Sequence, residues 1–145
     1  MRYFLEISYN GSTFHGWQIQ PNAITVQETI ENALVNLLKE EIKIVGAGRT
    51  DTGVHAKHMC AHFDYKNKFD LDDLKNNLNS FLNQEICIKD LYKVKDDAHA
   101  RFSAISREYK YYIALTKNVF SYKTSHFVYQ DLNIKKMNEA ISIIK

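Results

Sequence analysis

The sequence predicts an α+β fold in which a sheet and its helices follow in the order β-α-β-β-α-β. Three observations predict it. Residues 2–9 (RYFLEISY) alternate apolar and polar side chains, the period of a strand. Two later segments carry apolar residues at helical spacing, and each is preceded by a capping residue. Apolar runs bounded by turn residues separate and follow these helices, at lengths that suit single strands.

In the first strand Tyr3, Leu5, Ile7 and Tyr9 share one face, and Asn10-Gly11 ends it with turn chemistry. Thr25-Val26-Gln27-Glu28 is a capping box. The threonine oxygen serves the amide of Glu28, and the glutamate side chain reaches back. Val26, Ile30, Leu34, Leu37 and Leu38 then form the stripe of the first helix. Residues 42–47 read as a short strand, and a glycine-rich loop runs from residue 46 to 56. Residues 59–65 form the next strand. Asp70 caps a second helix, Phe69 and Leu74 have the spacing of a hydrophobic staple, and Leu71, Leu74, Leu78, Phe81 and Leu82 make its buried stripe. Residues 86–94 return as a strand. This order is the split-βαβ, ferredoxin-like arrangement, whose open sheet face RNA-recognition (RRM-like) domains use for binding.

Beyond it, residues 107–115 (REYKYYIAL) read as a long aromatic strand, and Asn133 caps a third helix with Met137, Ala140, Ile141 and Ile144 as its stripe. We therefore expect one subdomain over 1–104 and the beginning of a second over 105–145. The last stripe is still running at Lys145, so a longer protein is expected.

The chain has 145 residues, 45% hydrophobic and 25% charged, which excludes a disordered polyampholyte. No apolar run has the length of a membrane span, so no membrane partner is expected. The first residues lack a signal-peptide core, and Cys60 and Cys87 are too few for a disulfide scaffold. Both points suit a reducing cytoplasm. The net charge is +2, but residues 1–100 sum to −3 and residues 101–145 to +5. That asymmetry suggests an anionic partner such as nucleic acid, although on charge alone a solvated lysine-rich surface is the preferred explanation.

The loop Gly46-Ala47-Gly48-Arg49-Thr50-Asp51-Thr52-Gly53-Val54-His55-Ala56 holds the chemistry. Its glycines let the backbone turn tightly and approach a ligand. Arg49 beside Asp51 favours an ionised carboxylate, which in a substrate cleft is a candidate nucleophile or general base. The same pair also suits a purely structural Arg–Asp contact. His58, Cys60 and His62 share one strand face, but neighbouring positions on that face lie about 6.5 Å apart, whereas zinc needs ligands converging to about 2 Å, so no metal is expected. Gly46-x-Gly48 lacks the Gly-Lys-Ser/Thr of a phosphate-binding P-loop.

The loop resembles the catalytic signature of the tRNA pseudouridine synthase A family. Three further motifs, in order, extend the resemblance over essentially the whole chain. They are Arg2-Tyr3-x-Leu5-x-Ile7-x-Tyr9 through Gly11-Ser12-x-Phe14-x-Gly16-Trp17-Gln18-x-Gln20-Pro21, then Thr25-Val26-Gln27 with Glu31-x-Ala33-Leu34, and finally His99-Ala100-Arg101-Phe102-Ser103-Ala104 with Arg107-x-Tyr109-x-Tyr111. Asn10 stands where the family commonly has aspartate.

The resemblance implies half of a pseudouridine synthase fold followed by the start of a second, similar half. It implies isomerisation of uridine to pseudouridine in the tRNA anticodon stem-loop, at positions 38 to 40, with Asp51 as the catalytic aspartate and no cofactor. Asp51 either attacks C1′ or takes the 2′ proton. Tyr109 is then the active-site tyrosine that stacks on the uracil, and Arg49, Arg101 and Arg107 bind substrate, with Lys110 as a further contact to the RNA backbone. A homodimer is implied for the full-length protein. The alternative is an RRM-like RNA-binding fragment without catalysis. Asp51 discriminates between the two, because a surface built only to bind a polyanion gains nothing from a fixed negative charge.

Overall fold

The computed structural model describes residues 1–144. Two compact units divide the chain, residues 1–107 and 108–145.

In the first unit β1 (Arg2–Tyr9), β2 (Val45–Gly46), β3 (Ala56–Asp64) and β4 (Ile86–Val94) form a four-stranded sheet in the order β2-β3-β1-β4, every neighbouring pair antiparallel. The alternation in the sequence sets which way β1 faces. Tyr3, Leu5, Ile7 and Tyr9 are buried beside Ala61 and Phe63 of β3 and Ile88 and Leu91 of β4. Cross-strand partners Arg2 and Asp64 lock one end of the register with a bidentate pair, Nε to Oδ1 at 2.9 Å and Nη2 to Oδ2 at 2.8 Å.

Helices α1 (Val26–Leu38) and α2 (Leu71–Phe81) add their apolar stripes to this core. Val26, Ile30, Ala33 and Leu34 of α1 are buried, with Leu37 and Leu38 packed at its edge. Thr25 Oγ1 accepts the Glu28 amide at 3.3 Å, and the helix closes on Lys39 in the left-handed region at φ 57°. Of the expected box only this forward bond forms among the described residues. Asp70 Oδ1 caps α2 by accepting the Asp73 amide at 2.9 Å. Leu74 and Leu78 are buried on the sheet, and Leu82 follows them. Phe81, expected in that stripe, is instead 53% exposed. It sits at the margin of the stripe on the last residue of the helix, with no further turn to cover it.

The strand expected over residues 42–47 is regular only at Val45–Gly46. Ile42 and Ile44 are buried as an apolar strand would be, but α1 claims the backbone of Ile44. Its N–H donates to Glu31 Oε1 at 2.9 Å, and its carbonyl accepts from Gln27 Nε2 at 3.1 Å. At Ile44 the backbone therefore pairs with side chains of a helix, and pairing with β3 begins only at Val45.

The second unit holds β5 (Ile113–Ala114), paired parallel with β6 (His126–Phe127), and α3 (Ile134–Ile143). Asn133 Oδ1 caps α3 through the Lys136 amide at 2.9 Å. The long strand expected over 107–115 shrinks to the two residues of β5. Tyr109 and Tyr111 are 69% and 91% exposed and have no ladder partner among the described residues. Aromatic content gives a strand its propensity, but a strand persists only beside a neighbour that completes its hydrogen bonds.

Candidate active site

The loop between β2 and β3 is held against the turn that follows β1. The turn begins at Asn10, whose Oδ1 accepts the Ser12 amide at 3.0 Å and opens a single 3-10 turn over Gly11–Thr13. From there the two segments exchange backbone bonds. Trp17 N–H donates to the Thr50 carbonyl at 3.0 Å and Gly53 N–H to the Phe14 carbonyl at 3.3 Å. His55 Nδ1 accepts the Gly11 amide at 3.0 Å. That assigns the lone pair to Nδ1 of His55.

Close approach requires glycine at two points. Gly16 has φ +82°, and a Cβ there would overlap the Thr50 carbonyl oxygen. A Cβ on Gly46 would meet the indole of Trp17 at 2.6 Å, and Trp17 is buried beneath it. Thr50 is held a second way, because its Oγ1 lies 2.8 Å from the hydroxyl of Tyr9 at the end of β1. Burial pushes the Tyr9 phenol upward, so it stays protonated at neutral pH.

Asp51 follows this doubly anchored threonine and is exposed. It lines an open cleft of about 560 Å³ together with Arg49, Thr50 and Thr52 of the same loop and His15, Gln18, Ile19 and Gln20 of the facing turn. Arg49 and Asp51 therefore share one cleft. Among the described residues they form no ion pair with one another. The cleft thus presents a carboxylate and a guanidinium to solvent separately, as a site for a ligand with both polar and anionic groups would.

Arg107 reaches the same loop from the end of the first unit. Its Nη2 donates to the Ala47 carbonyl and to the Arg101 carbonyl, both at 2.8 Å, and its Nε to Ala47 at 3.3 Å. Arg101 is exposed, its guanidinium 5.8 Å from the centre of the Phe102 ring. Lys110 pairs with Glu108 at 2.7 Å, and both are exposed. Tyr109, Lys110 and Glu108 belong to the second unit.

The turn carrying Arg101 is fastened to β3 by His62, which the sequence places only on a strand face shared with His58 and Cys60. His62 is buried, and its Nδ1 accepts the Ala100 amide at 3.2 Å. Its ring stacks on Phe4 and meets His99 edge-on at 4.6 Å. Burial first, then the Arg2 guanidinium and the neighbouring His99 ring, push its pKa down to about 4. His62 is thus a neutral acceptor, committed to the backbone. Its strand neighbours Cys60 and His58 lie 3.5 Å apart, Sγ to Nε2, and His58 Nδ1 stands 3.8 Å from Glu6. Alternation alone could not separate these roles, since His58, Cys60 and His62 occupy equivalent positions on the strand.

A family model described as tRNA pseudouridine synthase matches residues 7–103, which span the strand, turn, helix and loop that build this cleft. The chain belongs to the tRNA pseudouridine synthase family. Relatives of that name confirm the assignment along nearly all of its length. The tRNA pseudouridine synthase A of Azobacteroides pseudotrichonymphae is 49% identical over 143 residues, covering 99% of this chain and 57% of the relative. That of Bacteroides fragilis is 46% identical over 140 residues, covering 96% and 56%. That of Borreliella burgdorferi is 43% identical over 137 residues, covering 92% and 56%. The chain therefore spans a little over half the length of the pseudouridine synthases it matches.

No helix among the described residues is long and apolar enough to cross a membrane. Both cysteines are free, Cys60 half-buried and Cys87 exposed.

Proposed function

We propose that the protein converts uridine to pseudouridine in tRNA, at positions 38 to 40 of the anticodon stem-loop, with Asp51 as the catalytic carboxylate. Asp51 supports this reading most directly. It projects into an open cleft from a loop whose preceding residue is fixed by Trp17, Gly16 and Tyr9. Preorganisation of this kind holds a reacting group in place before substrate arrives.

In the proposed reaction the N1–C1′ bond of uridine breaks, the uracil rotates while bound, and C5 bonds to C1′. The proton on C5 is lost and N1 regains one, so the product is an isomer and no cofactor is consumed. Asp51 either adds to C1′ as N1 leaves and is displaced when C5 bonds there, or removes the 2′ proton and returns it as C5 bonds to C1′. The target base must first leave its stack, at a cost of a few kcal/mol. Tyr109 stacks on the extruded uracil, an interaction worth about 1–3 kcal/mol. Arg49, which shares the cleft, and Arg101, on the exposed turn, contact phosphates. Arg107, expected from the resemblance to bind substrate, donates instead to the Ala47 and Arg101 carbonyls, and a different role for it is argued below.

The sheet order β2-β3-β1-β4 supports a ferredoxin-like first subdomain, with a second, similar half beginning near residue 105. The protein works in the cytoplasm as a homodimer in this reading. A second reading, RNA binding without chemistry, is favoured by the rings of Phe4 and Tyr92 on the sheet face opposite the helices, with centroids 6.1 Å apart.

Tritium release from tRNA labelled at uridine C5 decides between them, using the protein as its gene encodes it. Wild type should release tritium. Asp51→Ala and Asp51→Asn should lose roughly a thousandfold or more in rate while still binding tRNA. Equal release from wild type and Asp51→Asn would remove the catalytic role. Binding without release in every form would favour the second reading.

A further inference from the structure

Arg107 does not line the cleft, yet its guanidinium donates twice to the Ala47 carbonyl of the loop that carries Asp51. We propose that Arg107 is a positioning residue: it spans the Ala47 and Arg101 carbonyls and so fixes the base of the catalytic loop. The proposal rests on the reading of Asp51 given above and deepens it.

Ala47 is the first residue after β2, and its peptide group is held on both sides. Its N–H donates to the Cys60 carbonyl of β3 at 2.7 Å, and its carbonyl accepts two bonds from Arg107. Gly48 follows directly, and a Cβ there would lie 3.7 Å from Arg107 Nε, in ordinary contact with the guanidinium. At the far end of the same stretch, Thr50 is fixed by Trp17 and Tyr9. Arg49 and Asp51 thus lie between or beside two anchors, and Arg107 is the one at the strand end.

The anchor is itself braced. The Arg101 carbonyl belongs to a turn closed by Ser103 N–H on the His99 carbonyl at 2.8 Å and by the His99 amide on Ser103 Oγ at 3.0 Å. His99 Nδ1 accepts the Arg101 amide at 3.1 Å, and His62 ties the turn to β3 through Ala100. One guanidinium therefore bridges two segments that the same strand already supports. A planar fork with fixed donor directions can reach two carbonyls at once, whereas a lysine ammonium supplies the charge without the fork.

This role differs measurably from a phosphate contact. A residue that grips phosphate acts by charge, so lysine replaces it in large part, and its loss weakens tRNA binding and lowers the salt dependence by about one unit of slope. A residue that grips two carbonyls acts by geometry. The test uses Arg107→Lys and Arg107→Gln in the protein as its gene encodes it, with melting curves to confirm folding. Both variants should lower the single-turnover rate at saturating tRNA by about tenfold or more, consistent with a misplaced catalytic group. Both should leave tRNA affinity within about twofold and its salt slope unchanged. Exchange of the Ala47 amide, followed by NMR on the protein without RNA, should accelerate on the order of tenfold in both.

Recovery of the rate by Arg107→Lys with a reduced salt slope in Arg107→Gln would overturn the proposal in favour of a phosphate contact. Unchanged Ala47 exchange in both variants would overturn it as well. The exchange measurement needs no chemistry, so it judges Arg107 even if Asp51→Asn proves fully active and the catalytic reading fails.

Discussion

Gly16 passes so close beneath the Thr50 carbonyl that no side chain fits between them, and the neighbouring amide of Trp17 donates to that same oxygen at 3.0 Å. The turn after β1 and the loop before Asp51 are therefore one structural object, although more than thirty residues separate them in the chain.

That contact predicts the effect of a single methyl. Gly16→Ala adds a Cβ at φ +82° and drives it into the Thr50 oxygen. Left-handed strain and the overlap together should cost about 2 kcal/mol or more in unfolding free energy. The loop must also shift, so the isomerisation rate should fall by more than the stability loss alone explains. Denaturant melts and tritium release on the same preparation check both. A variant as stable and active as wild type would show that the loop tolerates the displacement.

Glu31 makes a separate prediction about what replaces a regular second strand. Its carboxylate is buried and accepts from Ile44 N–H at 2.9 Å, Gln27 Nε2 at 3.0 Å and Lys43 Nζ at 3.2 Å. Glu31→Ala strands the Ile44 amide in the core and should cost about 2–3 kcal/mol. Lys43 is exposed, and the bond it donates to Glu31 raises its pKa above the usual range; Lys43→Met leaves the buried carboxylate its donors from Ile44 and Gln27 and should cost less than Glu31→Ala. Chemical denaturation of the two variants side by side measures the contrast. Equal losses would mean that the ion pair, rather than the backbone bond, carries the effect.

His62 predicts a pH dependence. Its folded pKa is about 4 against 6.5 for an unperturbed imidazole, so between these values the unfolded chain binds a proton that the native protein refuses. The stability contribution is complete above pH 6.5 and is lost progressively as pH falls towards 4. His62→Asn keeps an acceptor for the Ala100 amide but removes the titration. Between pH 7 and about 4.5 the melting temperature of wild type should fall more steeply than that of the variant. Parallel profiles would assign the acid sensitivity to other groups.

Asp51 is exposed, so its substitution separates stability from chemistry. Asp51→Asn should leave the unfolding free energy of the protein essentially unchanged, within about 0.5 kcal/mol of wild type. A marked destabilisation would point to a structural role for the carboxylate.

The sequence by itself determined the elements whose cause is local. The period-two face of β1, the caps at Thr25, Asp70 and Asn133, and the stripes of α1 and α2 are each set by a few neighbouring residues. The motif around Asp51 was legible for the same reason, because its glycines and charges lie within one short stretch. Tertiary structure decided everything that depends on a distant partner. Ile44 forsakes the sheet for Glu31 and Gln27, Tyr109 and Tyr111 find no ladder partner among the described residues, and His62 is singled out from His58 by the Ala100 amide. The carbonyls of Ala47 and Arg101 that Arg107 bonds are likewise partners brought to it by the fold. A backbone group bonds with whichever donor or acceptor the fold brings within reach, and sequence spacing does not encode that proximity.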